Sequence, residues 1–167
     1  HGLTPKIKLI LQAGLAVGAL LSMFILDIPN LTKLYIPIGG GTSYVVDLGW
    51  FYFPFAFFAF LGATNAYNLT DGLDGLAGGL CIQVAAGFLV LLLLGYPVGV
   101  AAVVQNDLIL LVVLIMGILL GFLCFNSYPA AVFLGDSGSL SLGAGFVCLA
   151  IVSKSELLFA LMSAVFI

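Results

Sequence analysis

Long apolar runs broken by short polar stretches make up most of this chain, and their lengths predict helices that cross a membrane. A spanning helix needs about 20 mainly apolar residues. Leu9–Leu26, Trp50–Ala66, Leu76–Tyr96 and Leu108–Phe125 come close to that length and carry no charged side chain. A further run, Gly138–Val152, is short and crosses only by tilting or by borrowing Phe133–Asp136. The last starts at Leu157 and stops at Ile167, too early to cross, so the chain reads as cut at its C-terminus. Between the first two runs the pattern changes. Leu34–Ile38 and Thr42–Val46 are β-rich pieces around the glycines 39–41, which predicts a hairpin. The expected fold is an all-α polytopic membrane protein, one domain of about six transmembrane helices with the last truncated. The spans fall at residues 9–26, 50–66, 76–96, 108–125, 138–152 and 157–167, with a small β-hairpin near 34–46.

Composition agrees with that reading. The chain is 63% hydrophobic and 7% charged, whereas a soluble domain has about a quarter of its residues charged. Its net charge of −3 and four scattered basic residues exclude the basic surface that a nucleic-acid binder needs. Cys81, Cys124 and Cys148 lie far apart inside apolar runs, without the paired spacing of zinc or redox sites, and read as packing residues. Lys6 and Lys8 lead into a run with no small-residue cleavage site, so no cleavable signal is expected. Gly14-x-x-x-Gly18 and Gly117-x-x-x-Gly121 permit close helix approach. Packing within one bundle is the expected use, and a homodimer interface is the alternative.

In such a chain the few carboxylates stand out. Asp71 and Asp74 lie in Asn65-Ala-Tyr-Asn-Leu-Thr-Asp-Gly-Leu-Asp-Gly-Leu, and Asp136 lies in Asn126-Ser-Tyr-Pro-Ala-Ala-Val-Phe-Leu-Gly-Asp-Ser-Gly-Ser. With Lys6 and Lys8 cytoplasmic, as the positive-inside rule favours, alternating spans return both stretches to the cytoplasmic face. Asp27–Gly49, Pro97–Asp107 and Ser153–Glu156 then lie on the opposite face. The two aspartate stretches share a face whichever orientation holds. Thr70 or Asp71 is placed to cap the following helix, with Asp71 and Asp74 three apart on its first turn. Asp136 precedes Ser137-Gly138-Ser139 at another helix start, where free N–H groups and the dipole favour an anion. A carboxylate beside those donors can hold Mg²⁺, which binds diphosphate oxygens. Phe133 is placed to stack on a nucleobase. Simple N-caps at a water interface are the bland alternative, but ionisable groups near a membrane point to function by default. Gly39–Gly41 lacks the Lys-Ser/Thr that a phosphate-binding loop needs.

At these residues a resemblance becomes specific. Asn68-Leu-Thr-Asp-Gly-Leu-Asp-Gly-Leu-Ala77 and Asn126-Ser-Tyr-Pro-Ala-Ala-Val-Phe-Leu-Gly-Asp-Ser-Gly-Ser-Leu140 are similar to the signature loops of the polyprenyl-phosphate N-acetylhexosamine-1-phosphate transferases. Within that family the chain most resembles the muramoyl branch, and Gly2-Leu-Thr-Pro-Lys-Ile-Lys8-Leu resembles the start of the family's fourth span. The resemblance implies Mg²⁺-dependent transfer of phospho-MurNAc-pentapeptide from UDP-MurNAc-pentapeptide to undecaprenyl phosphate. That reaction releases UMP and forms lipid I for peptidoglycan, at the cytoplasmic face of a bacterial inner membrane. It implies that Asp136 binds the metal, that Asn68, Asp71 and Asp74 surround the nucleotide-sugar, and that Lys8 lies near the phosphates. Asn126 and Phe133 would shape the uridine pocket, and Ser139 joins the substrate contacts.

The departures from the family pattern carry expectations too. An adjacent Asp-Asp pair before the segment matching Gly2-Leu3 and a histidine-rich loop are not in this sequence, and His1 fills neither role. The chain therefore reads as a middle portion, expected to be inactive by itself. A UDP-GlcNAc:undecaprenyl-phosphate transferase shares the same Asp-Gly-x-Asp-Gly and Gly-Asp-x-Gly-Ser patterns and is the near alternative. An ion- or proton-coupled transporter is the alternative of another class, although transporter sites lie near the midplane and these aspartates flank the spans.

Overall fold

The computed structural model describes residues 4–39, 42–96 and 102–166. Helix α1 (Pro5–Ile25) leads into a hairpin of β1 (Lys33–Gly39) and β2 (Thr42–Asp47), followed by a 3-10 turn at Gly49–Phe51. Then come α2 (Tyr52–Thr70), α3 (Leu76–Leu93), α4 (Ala102–Asn126), α5 (Gly135–Val152) and α6 (Glu156–Ser163), which ends in a 3-10 turn at Ala164–Phe166. α1, α3, α4 and α5 are each long and apolar enough to cross a membrane. With a small two-stranded antiparallel sheet, this is the all-α, multi-pass membrane architecture expected from the apolar pattern. Gly40, Gly41 and Pro97, expected in the hairpin tip and an outer connection, lie outside the described residues. Asp107, expected in that same connection, is instead inside α4.

Local chemistry explains several boundaries. Pro5 opens α1, where a missing N–H leaves no helical bond unmade. α3 starts after Gly75, whose φ of +72° is readily adopted only without a Cβ. Thr70 and Asp71 therefore do not cap α3, as the sequence had suggested; they end α2, and the turn at Gly72–Gly75 intervenes.

α2 packs on both α5 and α1, while α3 pairs with α4. The closest approach is at Gly143. A Cβ there would stand 2.9 Å from Thr64 Cα and 3.1 Å from the Ala63 carbonyl oxygen, so the α2 and α5 backbones nearly touch. Gly14, Gly18, Gly117 and Gly121 are not used this way: a Cβ on any of them would meet nothing within 4 Å. Their expected role in packing within the chain is corrected accordingly. Tyr52, Phe60 and Tyr67 of α2, Phe88 of α3 and Phe146 of α5 form the core, with the Phe88 and Phe146 rings stacked at 6.0 Å. Cys81 packs there as expected, but Cys124 is exposed. Leu9, Ile10 and Leu15 on α1 and Leu110, Leu114 and Ile118 on α4 are exposed, an arrangement suited to lipid rather than water.

Chain direction alternates, so the two ends of the bundle differ. Lys8 near the start of α1 meets Asn68 near the end of α2 and Asp136 at the start of α5. The opposite end holds the start of α2, the hairpin and the α5–α6 turn. There Asp47 accepts from the Thr32 hydroxyl at 2.8 Å and the Gly49 N–H at 2.9 Å. Those donors hold its carboxyl below the usual carboxylate range and tie the hairpin to the start of α2. Lys154, turned into the left-handed region (φ +53°), is buried beside Glu156. Its Nζ donates to the Leu31 carbonyl at 2.9 Å and to Glu156 Oε1 at 3.4 Å. The Tyr52 hydroxyl donates to the same Oε1 at 2.7 Å. Burial pulls the Lys154 ammonium below its ordinary value, and the Glu156 carboxylate opposes that pull.

Candidate active site

Four of the residues singled out from sequence converge at the Lys8 end. The Lys8 ammonium donates to Asn68 Oδ1 at 2.6 Å and to Asp136 Oδ1 at 3.0 Å. The Asn68 amide then donates to Asp136 Oδ1 at 2.8 Å and to the Ser139 hydroxyl at 2.9 Å. Ser139 in turn donates to the Gly135 carbonyl at 2.7 Å, one turn back on α5. Three helices therefore place one cation, one carboxylate and one amide in mutual contact. The Lys8 side chain is only 22% exposed, whereas that of Asp136 is 69% exposed. The carboxylate faces outward, and the lysine rises from the wall beneath it.

Asp71, Asp74 and Asn126 do different work. Asp71 Oδ2 accepts the Gly135 N–H at 2.7 Å, and Asp74 Oδ2 accepts the Ala130 N–H at 3.0 Å. Asn126 is buried; its Oδ1 accepts the Gly75 N–H at 3.1 Å and its amide donates to the Val132 carbonyl at 2.7 Å. The two signature stretches are thus laced together by side-chain-to-backbone bonds. Each satisfies loop N–H groups that no helix or strand would. Asp71 and Asp74 flank a turn instead of lining the first turn of α3. Phe133 stands on the same loop and is 45% exposed.

The donor set bears on metal binding. Among the described residues no three His, Cys, Asp or Glu side chains converge, so there is no closed cage of the zinc type. Mg²⁺ is ordinarily held by one or two carboxylates plus substrate phosphates and water. Asp136 engages only Oδ1 in the bonds described, and Asp71 Oδ1 is buried with no hydrogen-bond partner. Asp136, in the first turn of α5, and Asp71 each keep an oxygen that fits such an ion.

Two residues of this region were not singled out from sequence. Gln12, one turn beyond Lys8, and Asn65, one turn before Asn68, pair through their amides at 3.2 Å and 3.5 Å. Their signal was available, because each is an uncharged polar residue within an apolar run. An apolar groove of about 470 Å³ also descends from Lys8 between α1, α2 and α5, with Leu11, Leu15, Phe60, Leu140 and Ala144 in its walls.

Comparison with known proteins points the same way. The family described as glycosyl transferase family 4 matches residues 1–154. A phospho-N-acetylmuramoyl-pentapeptide-transferase of Oceanobacillus iheyensis is 41% identical over 167 residues, covering 99% of this chain and 47% of the relative. Proteins of the same name from Halalkalibacterium halodurans and Borrelia duttonii are 39% and 36% identical over 99% of this chain, which covers 47% and 49% of them. The chain spans about half the length of the curated relatives it matches.

Proposed function

As the chain belongs to glycosyl transferase family 4, we propose that its protein transfers phospho-MurNAc-pentapeptide from UDP-MurNAc-pentapeptide to undecaprenyl phosphate. The observation that carries this reading is the meeting of Lys8, Asn68 and Asp136 at the mouth of an apolar groove. A polyprenyl phosphate needs an apolar channel for its tail and a cation where its headgroup stops. Lys8 is the one side chain of the groove's lining that offers that charge. The reaction joins an oxygen of the acceptor phosphate to the sugar-bearing phosphorus of the donor. It breaks the diphosphate bond, so that UMP leaves and lipid I forms.

Phosphoryl transfer asks a protein mainly for positioning and charge neutralisation. Lys8 holds the acceptor phosphate, and Asn68 fixes Asp136 beside it. Asp71 and Asp74, by gripping the second loop, set Phe133 to stack on the uracil. Asp136 and Asp71 would hold Mg²⁺, which supplies positive charge to the diphosphate oxygens. The site belongs to the cytoplasmic face of a bacterial inner membrane, where UDP-sugars are found.

The test is release of UMP by the purified full-length protein with undecaprenyl phosphate and Mg²⁺. UDP-MurNAc-pentapeptide should give UMP and a lipid-linked product, UDP-GlcNAc much less, and EDTA should stop both. Preference for UDP-GlcNAc would move the protein to the sister activity. Absence of UMP from either donor would overturn the transfer reading.

A further inference from the structure

The buried face of α1 is Gln12, Ala16, Leu20 and Met23, one polar residue followed by smooth apolar ones. Apolar contacts of that kind pack ridge into groove, but none of them is directional. Gly14 and Gly18 meet nothing, so no glycine notch sets the register either. Thr64 spends its hydroxyl on carbonyls of its own helix. The directional contact between α1 and α2 below the site is the amide pair, in which Asn65 donates to Gln12 Oε1 at 3.2 Å and Gln12 donates back to Asn65 Oδ1 at 3.5 Å. The Asn65 amide is itself anchored to the Leu61 carbonyl at 2.7 Å, and Gln12 is only 8% exposed.

We propose that the Gln12–Asn65 pair is a positioning clamp that keeps Lys8 in register with Asn68 and Asp136. The inference rests on the reading of Lys8 and Asp136 as the transfer site. Lys8 is one helical turn from Gln12, and Asn68 is one turn from Asn65, so the two pairs form successive rungs between the same helices. A slide of one residue along α1 moves Lys8 by about 1.5 Å, which breaks both rungs. Displacements near 1 Å can cost about 100-fold in rate. Hydrogen bonds between membrane helices contribute modestly to stability, so the clamp acts on register and leaves folding nearly unchanged.

The experiment uses Gln12→Met and Asn65→Leu, which keep volume and remove the amides, singly and together. Spin labels at Ile10 and Leu69, both exposed, in a background without the native cysteines, report the α1–α2 distance in detergent or nanodiscs. The expected result is a shift of about 1.5 Å or a clear broadening of the distance distribution in each single variant. In unlabelled protein, kcat for UMP release should fall about 10- to 100-fold with the donor KM within about twofold. The double variant should be no worse than the single ones, as two halves of one contact require. Unchanged distances, or losses that multiply in the double variant, would overturn the clamp. If the parent protein releases no UMP from any UDP-sugar, the proposed function fails, and the distance measurement still decides the clamp.

Discussion

Asp136→Asn should lower kcat for UMP release by about 10²- to 10³-fold, the range seen when one preorganised electrostatic group is removed from a site of developing charge. The substitution is nearly isosteric. Its amide oxygen still accepts from Lys8 and Asn68, which now address Asp136 Oδ1 at 3.0 and 2.8 Å. What disappears is the negative charge, and with it the strongest oxygen ligand for a divalent cation at the helix start. The loops should stay laced, because Asp71, Asp74 and Asn126 hold them independently of Asp136. Purified variant and parent should therefore share a thermal midpoint and elute alike in size-exclusion chromatography. Turnover close to that of the parent would remove Asp136 from the chemistry.

The largest stability effect is expected at the other end of the bundle. Lys154→Met leaves Glu156 buried with a hydrogen bond from Tyr52 and no counter-charge. Breaking one side of a buried ion pair costs about 3–5 kcal/mol. Among the described residues Glu156 already has one oxygen, Oε2, without a partner, so none of them stands ready to replace the lost donor. The Lys154 ammonium also ties the α5–α6 turn to the Leu31 carbonyl, and that link between α6 and the loop ahead of the hairpin goes with it. Reversible unfolding in mixed micelles should show the loss. Adding Glu156→Leu should recover most of it, since replacing both partners by apolar groups is often neutral or better. A single variant as stable as the parent would show that Lys154 and Glu156 are not held as an ion pair in the fold.

These two ends were not equally legible. The apolar runs announced the helices, because crossing length is a property of local sequence, and the hairpin followed from β-rich pieces around glycine. Asp71, Asp74 and Asp136 stood out because carboxylates are rare in such a chain, and alternation of the runs put them at one end. Their partners were not readable. That Asp71 would accept the Gly135 N–H and Asp74 the Ala130 N–H depends on how two distant loops nest, and no local rule contains it. The sequence suggested a helix cap for Asp71 because Gly72 and Gly75 leave the start of α3 ambiguous. Lys154 belonged to the outer connection Ser153–Glu156, and its bond to the Leu31 carbonyl, 123 positions away, is a contact that no local rule contains. Gln12 and Asn65 were visible as polar residues in apolar runs, but their pairing required the α1–α2 register.

The central claim is that both aspartate loops and Lys8 form one site on the cytoplasmic face, with the hairpin opposite. Cysteine accessibility tests it most directly. Gly72→Cys and Tyr44→Cys, at two exposed positions, are introduced separately into protein lacking Cys81, Cys124 and Cys148, and intact cells are treated with a membrane-impermeant maleimide. Position 44 should label in intact cells, and position 72 only after the membrane is permeabilised. Labelling of position 72 in intact cells, or of both positions from one side, would contradict the account.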